Sequence, residues 1–129
     1  MERRVRDDII AELAGQPVVG AFIYGSVARG KATANSDIDV FVLLGTELPP
    51  AQIALLRNAF FDLQRRLGYL PDPDHPVELF AADTVREALT ADVPDEGQRE
   101  VRRALVDTKI VLVGSAQLEE FIAMAGGRT

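Results

Sequence analysis

The sequence Gly25-Ser26-Val27-Ala28-Arg29-Gly30, followed shortly by Asn35-Ser36-Asp37-Ile38-Asp39, lies between two apolar runs. The first run, residues 18–24, has the length and composition of a buried strand, and residues 37–44 predict a second strand. Ten residues separate Ser26 from Asp37. This window therefore predicts a small turn after one strand and two carboxylates at the start of the next.

The two aspartates are suited to holding a metal ion. Side chains alternate along a strand, so Asp37 and Asp39 would share one face about 6.6 Å apart. Magnesium prefers oxygen ligands, and carboxylates supply them. Glu78 is the best candidate for a third acid, because it begins a short predicted strand, residues 77–81, that is otherwise apolar. Such acids raise one another's pKa unless a cation is present. The sequence predicts a magnesium site of one or two ions at Asp37, Asp39 and Glu78.

The Gly25-Ser26 turn is suited to holding phosphate. Gly25 allows a ligand to approach the backbone, and Ser26 offers a hydroxyl and an amide. A short predicted helix, residues 27–31, would direct its N-terminal N–H groups to the same place, and Arg29 and Lys31 would add positive charge. Alone, each half of the window is more typical of a solvated turn or a polar strand end. Together, at this spacing, they favour a site for a metal-bound phosphate.

A P-loop is the competing interpretation of the same window. Gly25, Gly30 and Lys31 nearly match its phosphate-binding loop after an apolar strand. Ala32 stands where that loop needs a hydroxyl, and Thr33 is one residue late. Four short strands are also too few for the P-loop sheet, so this interpretation is disfavoured.

The rest of the chain predicts one α+β domain over residues 1–129. Two further strands are predicted at residues 77–81 and 108–113. Helices are predicted at residues 3–14, from Pro49-Pro50 to Gly68, from about Asp83 to before Pro94, and at 95–105 and 116–125. We expect a mixed sheet of about four short strands flanked by helices, with a frayed tail from Gly126.

Composition limits the classes of function. The chain has no cysteine and no apolar run of the roughly 20 residues that a membrane span needs. These features predict a cytoplasmic protein that does not contact the membrane. A net charge of −6 argues against direct binding of nucleic acid, whose affinity comes mostly from cationic surface. It is compatible with a small, metal-loaded polyanion such as a nucleotide.

The window resembles the signature of minimal nucleotidyltransferases in the DNA polymerase beta superfamily. That signature is Gly-Ser, a ten-residue gap and Asp-x-Asp, which Gly25, Ser26, Asp37 and Asp39 match; Ala28-Arg29-Gly30 and Ser36 also fit the usual pattern. The resemblance is strong over residues 22–44 and looser over the remaining order of helices and strands. The family's third acid is usually aspartate, so Glu78 is a departure.

The resemblance implies a DNA polymerase beta-like nucleotidyltransferase fold and transfer of a nucleoside monophosphate, AMP from ATP, to a hydroxyl with release of pyrophosphate. Asp37, Asp39 and Glu78 would be the catalytic, metal-binding acids, and Glu78 would help to deprotonate the acceptor. Gly25, Ser26, Arg29 and Ser36 would bind the nucleotide, with two magnesium ions.

The resemblance also implies a partner, because minimal members often act as antitoxins that transfer AMP to a tyrosine of a HEPN toxin. Two alternatives stay open: a non-catalytic module that neutralises its partner by contact, and transfer to a small molecule such as an aminoglycoside. Assembly with copies of itself or with a partner is also open.

Overall fold

A mixed four-stranded sheet forms the centre of the molecule, as the sequence predicts. The structure is a computed structural model and describes residues 1–127. The strands are β1 (Val18–Tyr24), β2 (Asp39–Leu44), β3 (Glu78–Ala81) and β4 (Ile110–Val113), in the spatial order β3-β2-β1-β4. β1 runs antiparallel to both β2 and β4, whereas β2 and β3 are parallel. A P-loop needs parallel strands around its nucleotide, so the antiparallel β1–β2 pair excludes that interpretation.

Within residues 1–127, six helices flank the sheet: α1 (Arg3–Glu12), α2 (Gly25–Ala28), α3 (Pro50–Arg66), α4 (Ala82–Thr90), α5 (Glu96–Val106) and α6 (Ala116–Gly126). α2 begins two residues earlier than predicted, directly after β1. Gly126 belongs to α6 rather than to a frayed tail, and residues 128–129 lie outside the described residues. The predicted α+β architecture is confirmed.

The two faces of the sheet bury two separate hydrophobic clusters, because side chains alternate along each strand. On one face, Ile23, Val40 and Val42 pack with α1 and α3. On the other, Phe22, Phe41 and Leu43 pack with α4, α5 and α6. The rings of Phe22 and Phe41 stack with their centroids 4.8 Å apart. Cores on both faces of the sheet therefore fix β1 and β2, the two strands that flank the connection over residues 25–38.

No helix within residues 1–127 is long and apolar enough to cross a membrane.

Candidate active site

Gly25 and Asp39 lie side by side in the site. Tyr24, the last residue of β1, pairs with Asp39, the first residue of β2, so Gly25 lies beside the Asp39 carboxylate. Gly25 has a φ of +73°, and a Cβ there would collide with Asp39 Oδ2 and lie 3.0 Å from its Cγ. Glycine is therefore required twice at this position: for its backbone conformation and for the space that Asp39 occupies.

The carboxyl group of Asp39 has a raised pKa. Burial, together with the charges of Asp37 and Glu78, raises its pKa from 3.8 to about 6, and Arg29 opposes this rise. The charges of Asp37 and Glu78, the other two acids predicted for the site, therefore both reach Asp39. Such a carboxylate gains most from a nearby cation, because a cation offsets both the burial and the repulsion.

Asp37 lies outside the sheet, because β2 begins at Asp39, two residues later than predicted. The physical reason is Gln64 of α3, which is 1% exposed. Its Oε1 accepts the Ile38 N–H at 2.9 Å, and its Nε2 donates to the Ile38 carbonyl at 3.1 Å. The backbone groups of Ile38 thus bind a side chain instead of a neighbouring strand.

Gln64 also fixes the approach to the third acid. Its Nε2 donates to the Pro76 carbonyl at 2.8 Å, two residues before Glu78. Sequence reasoning missed Gln64, although a signal existed. It stands one turn after Phe60, on the apolar stripe of the helix, where a buried polar residue must find hydrogen-bond partners.

Ser36 shapes the loop before the aspartates. Its Oγ accepts the Thr33 N–H at 2.8 Å, and its carbonyl accepts the Leu70 N–H at 3.1 Å. These contacts hold the 33–36 turn and tie it to the segment after α3. The predicted contact of Ser36 with the nucleotide stays a prediction.

Glu78 lies on the strand next to the aspartates, as expected. It pairs with Phe41 in the parallel β2–β3 ladder, and Phe41 is two residues after Asp39, so Glu78 and Asp39 are on the same face. Burial raises the pKa of Glu78, and the charges of His75 and Arg57 oppose the rise.

The Glu78 carboxylate contacts His75, with 3.4 Å between Oε1 and Nδ1. Within residues 1–127, no three Asp, Glu, His or Cys side chains are placed closely enough to hold one metal ion. Asp37 and Asp39 are thus presented without Glu78 as a third ligand in this arrangement.

Arg29 is held by a residue that the sequence analysis did not single out. Its Nη1 lies 3.1 Å from Asp107 Oδ1 and 2.9 Å from Oδ2, and Asp107 Oδ2 also accepts the Gly25 N–H at 3.3 Å. Asp107 follows Arg29 by 78 residues, and no local pattern links the two. Only the fold shows the contact.

A groove of about 720 Å³ opens beside Glu78 and Tyr24, between β3, α4 and α5. Its floor includes the rings of Tyr24, Phe41 and Phe80, and five carboxylates line it: Glu78, Glu87, Asp95, Glu96 and Glu100. Burial raises the pKa of the Tyr24 hydroxyl, and Asp39, Glu78, Glu100 and Asp37 raise it further. The groove continues the acidic site away from Gly25, and it favours uncharged or cationic groups over phosphate.

The sequence of this chain matches a known protein family. Residues 7–99 match the family described as Polymerase beta, Nucleotidyltransferase, so the chain belongs to this family of nucleotidyltransferases. It is also 30% identical over 71 residues to spectinomycin 9-adenylyltransferase of Staphylococcus aureus (strain Mu50 / ATCC 700699). The match covers 55% of this chain and 27% of that enzyme, which is therefore much longer than the shared region.

Solved structures share the fold over nearly the whole chain. A chain of a toxin–antitoxin crystal structure with AMP-PNP has a TM-score of 0.61 and 21% identity, and the match covers 95% of this chain and 84% of that one. A chain of a tri-AMPylated Shewanella oneidensis HEPN toxin in complex with MNT antitoxin has a TM-score of 0.56 and 18% identity, with 98% and 85% covered. A chain of the MntA-HepT toxin–antitoxin crystal structure has a TM-score of 0.56 and 19% identity, and the match covers 98% of this chain and 85% of that one.

Proposed function

We propose that this chain transfers AMP from ATP to a tyrosine hydroxyl of a HEPN-type protein partner, and so acts as an antitoxin in the cytoplasm. The family supports nucleotidyl transfer. The fold match to chains of toxin–antitoxin complexes, one with AMP-PNP and one with an AMPylated toxin, supports the nucleotide and the partner. The observation that carries the proposal is the approach of Gly25 to Asp39, because it brings the turn proposed to bind phosphate beside a carboxylate proposed to bind metal.

The residues present fit magnesium. Asp37 and Asp39 offer hard oxygen ligands, and the raised pKa of Asp39 shows a carboxylate whose charge is poorly compensated by the protein alone. Glu78 would complete the ligand set after its carboxylate leaves His75. Bound magnesium, as one or two ions, would neutralise phosphate charge and stabilise the attacking and leaving oxygens.

The chain's own groups orient the reactants. The Gly25-Ser26 turn would hold the triphosphate through backbone N–H groups and the Ser26 hydroxyl, with Arg29 and Ser36 beside it. The acceptor oxygen would form a bond to the α-phosphorus while the bond to the β-phosphate oxygen breaks and pyrophosphate leaves. The proton of the acceptor hydroxyl would pass to the Glu78 carboxylate. Catalysis of this kind depends mostly on position and charge.

The direct test is AMP labelling of a co-expressed HEPN-type partner. We expect ATP and magnesium to add AMP to a tyrosine of that partner, as mass spectrometry would show. Asp37→Ala/Asp39→Ala should abolish the addition, and Asp62→Ala, on the exposed side of α3, should preserve it. Labelling that persists in the double variant would refute the catalytic assignment.

The first alternative is neutralisation by contact, and Glu78 keeps it open because its carboxylate pairs with His75. A contact mechanism predicts that Asp37→Ala/Asp39→Ala still binds and neutralises the partner. Glu78→Asp restores the acid usual in the family, and Glu78→Gln removes the charge. If transfer occurs, the Gln variant should be slower than the Asp variant. Equal neutralisation by all variants, without AMP on the partner, would establish contact alone.

The second alternative is AMP transfer to a small cationic acceptor. The carboxylates of the groove favour it, as does the similarity to spectinomycin 9-adenylyltransferase. It predicts pyrophosphate release on addition of spectinomycin or an aminoglycoside without any protein partner. Release only in the presence of the HEPN-type partner would exclude it.

A further inference from the structure

Asp107 lies at the end of α5, next to the site, because of the register of β4. Its backbone N–H caps α5 by donating to the Arg103 carbonyl at 3.1 Å. In the antiparallel β1–β4 ladder, Ile110 is opposite Ile23. Because the strands are antiparallel, the residues before Ile110 lie opposite the residues after Ile23. Asp107 therefore lies beside Gly25.

The Asp107 carboxylate is hydrogen-bonded on both oxygens. Oδ2 accepts the Gly25 N–H at 3.3 Å, Oδ1 accepts the Thr108 N–H at 2.7 Å, and Arg29 Nη1 contacts both oxygens. Burial alone would raise the pKa of Asp107, but the hydrogen bonds from Arg29, Thr108 and Gly25 lower it overall. Asp107 is therefore an anion near neutral pH.

α2 needs such a contact from outside. It has four residues, too few to be stable alone, and its N-cap residue, Tyr24, makes no side-chain capping hydrogen bond. Its first N–H, that of Gly25, has no partner within the helix. Asp107 supplies that partner from 82 residues away and also holds Arg29, at the other end of α2.

We propose that Asp107 is a positioning residue for the nucleotide: it fixes the Gly25-Ser26 turn and Arg29 in the arrangement that receives the triphosphate. Gly25 is then held between two carboxylates, with Asp39 where its Cβ would be and Asp107 at its N–H. Arg29 and Asp107 are part-exposed, with side chains 44% and 24% accessible, so the ion pair contributes little to stability. Its contribution is to placement. The inference rests on the proposed function, because it assumes that the turn binds phosphate.

The test also distinguishes the opposite role for Asp107, that of a competitor of phosphate. A carboxylate on Gly25 and Arg29 could occupy the position of a phosphate and compete with it. A competitor predicts tighter binding of ATP when the carboxylate is removed, whereas a positioning residue predicts weaker binding.

The test compares Asp107→Ala with Asp107→Asn. Asn keeps an acceptor for the Gly25 N–H, and Ala does not. We expect Asp107→Ala to raise both the Kd of magnesium-ATP, measured by calorimetry, and the KM for ATP about 10-fold, the size expected for one hydrogen bond to a charged group. Asp107→Asn should stay within about 3-fold of wild type. Exchange of the Gly25 amide, followed by NMR without nucleotide, should accelerate in Asp107→Ala only.

Ser115→Ala is the matched control, because it removes the side-chain cap of α6 far from the nucleotide. It should lower thermal stability and leave the Kd and KM for ATP unchanged. Unchanged or tighter ATP binding in Asp107→Ala would overturn the inference. If wild type binds ATP but transfers no AMP to any acceptor, the proposed function fails, and the calorimetry and amide exchange still decide the role of Asp107.

Discussion

The two sides of the site differ in how firmly they are held. On the Gly25 side, the turn contacts Asp39 and Asp107, and Gln64 fixes the backbone of Ile38 between the two aspartates. On the Glu78 side, the carboxylate contacts an exposed histidine and borders an open, acidic groove. Under the proposed function, the firmly held side would receive the triphosphate and the open side would receive the acceptor.

Gln64 connects the two sides. Its amide binds Ile38 on the firmly held side and the Pro76 carbonyl shortly before Glu78. The difference between the sides is therefore a difference in side-chain contacts, since both backbones are fixed by the same buried group. Changes at Gly25, Gln64 and Asp39 should separate these contributions.

Gly25→Ala should have the largest effect. The new Cβ collides with Asp39 Oδ2, and alanine is strained at the positive φ of this position. A displacement of about 1 Å at a reacting group can cost about 100-fold in rate, so we expect AMP transfer to fall at least about 100-fold. Steady-state assays of pyrophosphate release measure this.

Gly30→Ala is the matched control for Gly25→Ala. Gly30 has a φ of +71° and nothing within 4 Å of its Cβ position. Gly30→Ala therefore has a similar backbone strain, about 1–2 kcal/mol, but its new Cβ collides with nothing. Comparable losses of activity in the two variants would show that strain, rather than the contact with Asp39, explains the effect.

Gln64→Leu should destabilise both sides at once. It leaves the Ile38 N–H and the carbonyls of Ile38 and Pro76 without their partner. We expect the free energy of unfolding to fall by about 2–4 kcal/mol, since each buried unsatisfied group costs about 1–3 kcal/mol and such costs are not additive. Denaturant titration measures the change. Gln52→Leu, the same substitution at a half-buried position of α3, should change stability by less than about 1 kcal/mol.

Asp39→Asn should have the smallest effect on stability among these variants, and one that depends on pH. The pKa of Asp39 is raised to about 6 in the fold, so the folded protein binds the proton more tightly than the unfolded chain does. Without metal, the wild-type stability contribution of this group is therefore lost as pH rises from about 4 to 6. With EDTA present, Asp39→Asn should be more stable than wild type by about 1 kcal/mol at pH 7.5, after allowance for solvent screening, and equally stable near pH 3.5.

Asp62→Asn, an exposed carboxylate on α3, serves as the control for the pH dependence. Its stability relative to wild type should be the same at both pH values. A constant difference between wild type and Asp39→Asn across this range would show that Asp39 titrates normally in the folded protein.

Much of the fold was predictable because the signals are local. The continuous apolar run Val18–Tyr24 and the periodic helix predicted between Pro49-Pro50 and Gly68 were both confirmed, the helix as Pro50–Arg66. The start of β2 was predicted two residues early, because Ile38 continues the apolar pattern while its backbone binds Gln64. Periodicity indicates which side chains are buried, but it does not indicate which group hydrogen-bonds to the backbone.

The site was predictable where its residues are close in sequence. Gly25 and Asp39 are in one 15-residue window, and their contact follows from the hairpin pairing of β1 and β2. Asp107 gave no signal, because its role depends on the β1–β4 register. The direction of the Glu78 side chain was also beyond sequence reasoning, because it depends on the competing contact with His75.

The most direct test of the central claim is a calorimetric titration of ATP into wild type and into Asp37→Asn/Asp39→Asn, each with and without magnesium. The claim is that the two aspartates and the Gly25-Ser26 turn form one site for a metal-bound triphosphate. It predicts that magnesium strengthens ATP binding to wild type and has no such effect on the double variant. Equal, magnesium-dependent binding by both proteins would contradict it.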